Sequence, residues 1–262
     1  MKLPLYQIDA FANRPFEGNP AAVVPLETWL SDELMQAIAE ENNLAETAFF
    51  VPNHGSFHIR WFTPNNEVKL CGHATLASAF VLFNCLGHES DIIKFESLSG
   101  ELSVTKNDDI LTLDFPAQAP ESCSAPEAMI KGMADLTKSP VEILFNEDYL
   151  CVLESEEELA RLNPKYSILN QLDLRGLIVT APSKEYDFVV RFFAPKYGIQ
   201  EDSVTGSAYT QLVPYWAEKL GKKKFKAKQI SSRGGELFCE LSGDRVLISG
   251  KAIKYLEGSI EL

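Results

Sequence analysis

The chain lacks the ingredients of several common functions. It has no C-x-x-C pair, and its five cysteines, Cys71, Cys85, Cys123, Cys151 and Cys239, are odd in number and widely spaced. That pattern suits neither a disulfide framework nor a zinc site, so no metal is expected. Positive charge is scarce: 24 Lys and Arg stand against 37 Asp and Glu, for a formal net charge of −13. A field of that sign repels phosphate backbones and anionic lipid surfaces, so neither nucleic acid nor membrane is expected as a partner. The longest mainly apolar stretch, Ala74 to Phe83, falls well short of the roughly 20 residues that span a bilayer. The opening MKLPLYQIDAF has no apolar segment of signal-peptide length, and a cytoplasmic location is expected. No low-complexity segment is present.

What the chain does have is enough apolar material, 45% of 262 residues, for a sizeable core in two compact domains. It also has an internal repeat. RWFTP from Arg60 is matched by RFFAP from Arg191, an offset of 131. Gly72-x-Ala74 leads after fifteen residues to Gly87, and Gly206-x-Ala208 leads over the same distance to Gly221, an offset of 134. SLSGELSV from Ser97 is matched by SRGGELFC from Ser232, an offset of 135. Three matches in one order and at nearly one offset mark two halves with a common programme.

Strand signals in the first half are YQIDAF, AAVVPL, AETAFFV and FHIRWFTP; in the second they are VEILF, YLCVLE, GLIVTAP and DFVVRFFAP. Each half adds a polar helix, SDELMQAIAEE capped by Ser31 and SEEELARL capped by Ser155. Each also has an apolar helix, over 72–86 and 206–220, whose lack of a polar face suits enclosure by other elements. The expected fold is α+β: two pseudo-symmetric domains, 1–116 and 117–262, each a β-barrel-like sheet wrapped round a central helix. The last strand is free to pack back on the first domain. PAQAPESCSAP, 116–126, reads as the linker.

The starts of the two apolar helices are chemically unusual. Cys71, Gly72 and His73 open the first; Thr205, Gly206 and Ser207 open the second. A helix N-terminus offers free N–H groups and the positive end of a dipole, and a glycine there lets a ligand approach the backbone closely. Two such termini facing each other make a site for a carboxylate. Taken singly, the glycines could merely ease tight turns and His73 and Ser207 merely satisfy backbone groups. Recurrence in both halves favours binding.

AETAFF (45–50), RWFTP, LCGHATLASA and EDSVTGSA (201–208), in this order and spacing, resemble the PhzF-type isomerases, the phenazine-biosynthesis-like branch of the diaminopimelate epimerase fold. IDAFANRPFEGNPAAVV (8–24) fits as well, so the resemblance covers essentially the whole chain. It implies two similar domains, an active site in the cleft between them, no cofactor, and a homodimer. It also implies Glu46 as general acid/base, with His73, Asp202 and Ser207 lining the pocket. Asn19, before a proline, suits either a substrate contact or a turn.

The residues themselves support an asymmetric role for Glu46. At an offset of 131 it lies opposite Leu177, so only one half carries the acid. At the head of an apolar strand it should be partly desolvated, the setting of carboxylates that move protons near neutral pH. In the epimerase branch of this fold a cysteine at each helix start works on opposite faces of a stereocentre. Here the first half has Cys71 but the equivalent position of the second half is Thr205, which excludes a symmetric two-thiol mechanism. The expected activity is therefore a proton or double-bond shift in a small carboxylate-bearing metabolite. Two alternatives stay open: a racemase or epimerase of an amino or hydroxy acid pairing Cys71 with Glu46 or Asp202, and a non-catalytic metabolite-binding protein.

Overall fold

The computed structural model describes residues 1–262. The chain divides into two compact units: Met1–Phe115 together with Ile248–Leu262, and Pro116–Leu247. The second unit thus stops at Leu247, and the segment after it belongs to the first. The closing strand Ala252–Glu261 runs antiparallel to Lys2–Ala10, with Lys2 opposite Glu261 and Ala10 opposite Ala252.

In the first unit, Lys2–Ala10 also pairs antiparallel with Asn19–Pro25. Asn19–Pro25 runs parallel to Glu46–Asn53, which folds back antiparallel on Ser56–Phe62. Ser56–Phe62 is parallel to Ile92–Ser97, and the hairpins to Gly100–Asn107 and Ile110–Pro116 complete the set. These strands surround the helix Gly72–Asn84, which packs most closely on Lys2–Ala10, Asn19–Pro25 and Glu46–Asn53. Eleven of its thirteen residues are buried, so it has no solvent face, as its composition predicts. Its two hydroxyl residues turn inward on the helix itself: Thr75 donates to the Cys71 carbonyl and Ser78 to that of Ala74. The outer helix Asp32–Asn42 begins where Ser31 Oγ accepts from the Leu34 amide. It lays Met35, Ile38 and Ala39 against Val24, Phe49, Val51 and Phe62.

The second unit repeats this order of pairings. Glu142–Phe145 is antiparallel to Tyr149–Val152, which is parallel to Leu177–Pro182. Then come Phe188–Ala194 antiparallel, Lys224–Gln229 parallel and Gly235–Ser242 antiparallel. A matching ion pair marks the repeat. Arg60 holds Glu67 through two hydrogen bonds of 2.7 Å over the Phe62 ring. Arg191 holds Glu201 through bonds of 2.7 and 2.8 Å over the Phe193 ring. The polar helix Glu156–Arg161 starts at Ser155, whose hydroxyl accepts from the Glu158 amide.

The second central helix differs from the first in two respects. Its first turn, Gly206–Ala208, is a 3₁₀ turn that leads into Tyr209–Leu220, and Pro214 lies inside the latter. Pro214 has no N–H to give the Thr210 carbonyl four residues earlier. The Gln118 amide donates to that carbonyl instead, at 2.9 Å, while the Thr210 hydroxyl donates to Gln118 Oε1 at 2.6 Å. The stretch 116–126 is therefore not a free linker. Ala117 is bonded to Asp244, and Glu121–Ser122 adds a short strand beside Leu144–Phe145. No helix is long and apolar enough to cross a membrane.

Candidate active site

Three elements of the first unit converge on one polar cluster. The parallel register that sets Ala21 beside Glu46 puts Asn19, at the head of its strand, close to Glu46 at the head of the next. The central helix enters the same region with Cys71 as N-cap and Gly72 and His73 in its first turn. Glu46 is 8% exposed, His73 5% and Cys71 7%. His73 is the hub. Its Nε2 lies 3.2 Å from Glu46 Oε2, and its Nδ1 lies 3.2 Å from Asn19 Nδ2 and 3.5 Å from Cys71 Sγ. Of the sequence candidates, Asn19, Glu46, Cys71, Gly72 and His73 are thus gathered in one place.

The contacts constrain the protons. In the neutral imidazole the Asn19 amide nitrogen donates to Nδ1, and the one ring proton sits on Nε2, facing Glu46. A second proton, on Nδ1, requires the Asn19 amide to turn its oxygen toward the ring. Burial works against the imidazolium, but the Cys71 sulfur and the Glu46 carboxylate outweigh it and hold His73 well above the ordinary histidine range. The Cys71 thiol is itself pushed up, first by burial and then by Glu46. The thiol and the ring are thus one coupled pair, in which the Cys71 and Glu46 contacts both favour the protonated His73. Although 3.2 Å apart, Glu46 Oε2 and His73 Nε2 are not aligned as a hydrogen bond, and neither atom has another partner. The helix start is similarly open: Cys71 makes no side-chain cap, and no acid lies in the first turn.

The ligand atoms of Glu46, Cys71 and His73 lie within 4.8 Å of one another, and all three are types that bind zinc. The sulfur faces Nδ1, however, and the carboxylate faces Nε2. Donors on two different ring nitrogens form a proton relay more readily than a chelate.

The second unit holds the remaining candidates in a cluster of its own. Asp202 closes the short strand Ile199–Asp202. Its Oδ2 accepts from the Thr205 hydroxyl at 2.6 Å. Gln229 ties the two ends of this turn, donating to the Asp202 carbonyl and accepting from the Thr205 amide. Gly206 is buried, and Ser207 Oγ accepts from Arg175 Nη1 at 3.1 Å. Arg175 in turn grips Asp148 with both ends of its fork. Burial pushes the fully enclosed Asp148 carboxyl up from its ordinary range and the Arg175 guanidinium pulls it back. The guanidinium itself stays charged, held above the ordinary arginine range by Asp148.

Sequence reasoning missed Arg175, Asp148 and Gln229. A signal was available for the first. Leu177 occupies the place that Glu46 has in the other half, since Tyr149 is parallel to Leu177 as Ala21 is to Glu46. Arg175 stands just before that place. The intervening Gly176 suits that place, because a Cβ would sit 2.9 Å from the Phe193 carbonyl oxygen and 2.6 Å from the Phe192 ring.

A family model described as "Phenazine biosynthesis-like protein" matches residues 8–258. The chain is 50% identical to an uncharacterized isomerase of Pseudomonas aeruginosa over 100% of both chains. It superposes on a PhzF-family phenazine biosynthesis protein from Enterococcus faecalis with a TM-score of 0.96 at 45% identity, covering 100% of each chain. A hydroxyproline epimerase from Agrobacterium vitis, solved with trans-4-hydroxy-L-proline bound, matches with a TM-score of 0.65 at 10% identity, over 99% of this chain and 92% of that one. That last likeness is one of fold alone, and it is the fold the sequence motifs imply.

Proposed function

The chain belongs to the phenazine biosynthesis-like family, and from that membership we propose that it is an isomerase. It moves a proton or a double bond within a small carboxylate-bearing metabolite and works without a cofactor. The observation that carries this reading is the buried Glu46–His73 pair, whose facing atoms are 3.2 Å apart yet unaligned and otherwise unpartnered. A buried polar atom left unsatisfied costs about 1–3 kcal/mol, which a substrate contacting both groups would relieve.

In this reading the Glu46 carboxylate takes a proton from an activated C–H bond of the substrate. The bonding pair moves into the adjacent π system, and Glu46 becomes the acid. Returning the same proton to another carbon restores the carboxylate, so no atom or electron is gained or lost. His73 holds Glu46 in place and stabilises its charged form, with Asn19 orienting the ring. The uncapped N–H groups at Gly72 face the developing anion. Cys71 acts as a neutral wall of the pocket. Asp202 orients substrate, and Gly206 and Ser207 bind its carboxylate. An epimerase using Cys71 as a base has less support, because burial disfavours the thiolate and Thr205 gives its hydroxyl hydrogen to Asp202. The enzyme is further proposed to act as a homodimer in the cytoplasm; light scattering tests the assembly.

The test begins with a thermal-shift screen of small carboxylates, in which a ligand at a hundred times its Kd stabilises the protein by about 2.7 kcal/mol. Each hit is then incubated with the enzyme and followed by proton NMR. Conversion to an isomer of equal mass by the wild type, and binding without conversion by Glu46→Gln, is the expected result. Conversion by both proteins would overturn the reading.

A further inference from the structure

The role of Ser207 depends on which way its hydroxyl hydrogen points, and the second unit contains a device that decides it. A hydroxyl has one hydrogen to give and two lone pairs to receive. The hydrogen bond made by Ser207 Oγ is the one it accepts from Arg175 Nη1, at 3.1 Å. A hydrogen directed at an N–H donor is repelled, so the Ser207 hydrogen is turned away from the guanidinium.

Arg175 is not free to release that constraint. Its Nε donates to Asp148 Oδ1 at 2.9 Å, and Nη2 donates to the other oxygen of the same carboxylate. Asp148 is 0% exposed, and Gln211 Nε2 holds it from the side at 3.3 Å. Gln211 stands one helical turn beyond Ser207, so one helix carries both the hydroxyl and a clamp on its orienter. The Phe192 ring lies 5.4 Å from the guanidinium carbon and closes one face. With Glu147 Oε1 3.6 Å from Nη1, the positive charge of Arg175 is more than balanced. Bare attraction is therefore not what this cluster offers an anion. A pre-oriented hydroxyl is, and accepting a hydrogen bond from a cation makes that O–H a better donor.

We propose that Arg175 is a positioning residue which, by donating to Ser207 Oγ, makes the Ser207 hydroxyl a dedicated donor for an acceptor oxygen such as that of a substrate carboxylate. The inference rests on the assignment of Ser207 to carboxylate binding above, but not on the proton transfer at Glu46.

Acetate serves as the probe, titrated against the full chain and read from the amide NMR shifts of Gly206 and Ser207, with acetamide as the neutral control. Arg175→Met alone would strand the buried Asp148 charge, so the working variant is Arg175→Gln with Asp148→Asn, and its fold is checked by its thermal melt. Ser207→Ala should weaken acetate about tenfold, the loss of one hydrogen bond to a charged group. The double variant should weaken it to a similar degree while its melt stays cooperative. Adding Ser207→Ala to the double variant should cost nothing more, because both changes remove one interaction. Arg175→Lys should recover part of the affinity. Losses that add, or a folded double variant with wild-type affinity for acetate, would overturn the proposal while Ser207 keeps its role. No effect of Ser207→Ala would overturn the carboxylate assignment and the proposal together. The readout is binding, so neither result bears on whether Glu46→Gln abolishes turnover.

Discussion

Replacing Glu46 by Gln removes one negative charge from a buried pair and leaves its shape intact. At 3.2 Å, an ionised Glu46 attracts a protonated His73 by about 5 kcal/mol if the effective dielectric constant is about 20. Solvent does little to screen this, since the side chains are 6% and 11% exposed. Burial opposes the imidazolium, and the net result is a His73 held well above its ordinary range. A group whose pKa is raised on folding contributes stability that is complete below its unfolded value, about 6.5, and lost as pH climbs through its folded value. The wild type should therefore lose Tm between neutral and alkaline pH. In Glu46→Gln the carboxylate's share is lost while that of the Cys71 sulfur remains, so His73 should titrate lower than in the wild type and the alkaline loss of Tm should begin at lower pH. Proton NMR of the His73 ring and Tm against pH check both halves of the argument. Turnover of an identified substrate should fall by the ~10²–10⁴ typical of a lost general acid–base group. Superimposable His73 titrations in the two proteins would refute the electrostatic reasoning, and near-normal turnover in the variant would refute the role of Glu46.

Cys71→Ala should keep turnover within about threefold, as suits a small, neutral, buried thiol; steady-state kinetics on the same substrate decide this, and a hundredfold loss would return Cys71 to the chemistry. Gln118→Pro removes the amide that satisfies the Thr210 carbonyl and should destabilise the protein by about 1–3 kcal/mol in urea. Pro214→Ala, which supplies a helical N–H to that carbonyl, should recover part of the loss. Arg191→Met strands the largely enclosed Glu201 and should cost about 3–5 kcal/mol. Arg60→Met, at the more exposed equivalent pair, should cost less; equal losses by chemical denaturation would refute the burial argument.

The sequence was most legible where the halves repeat. Offsets of 131 to 135 exposed the two halves and their enclosed helices, local apolar runs and serine–acid pairs marked the strands and both caps, and the absence of an acid opposite Glu46 exposed the asymmetry of the site. His73 was legible because a glycine followed by a polar residue heads both apolar helices and because LCGHATLASA resembles the family's motif. Arg175 left only its place just before the position equivalent to Glu46 as a signal, and Asp148 left none, because their partnership spans 27 residues. Residues 116–126 looked like a linker because proline-rich stretches commonly are one. What fastens them is the gap left by Pro214, which is invisible until the helix is built. The return of the last strand also left little local signal, since Ala252–Glu261 is largely exposed and its place is set mainly by pairing with Lys2–Ala10.

That pairing gives the molecule a history as well as a shape. The first unit includes Ile248–Leu262, so the part of the protein made first on the ribosome is finished last. One edge of Lys2–Ala10 waits for Ala252–Glu261 while the whole of the second unit is translated, roughly 7–30 seconds at the usual rate of synthesis. Through that interval the nascent chain carries an open strand edge able to recruit a neighbouring chain on the same message. A chain cut short before Ala252 would carry that open edge for as long as it lasted.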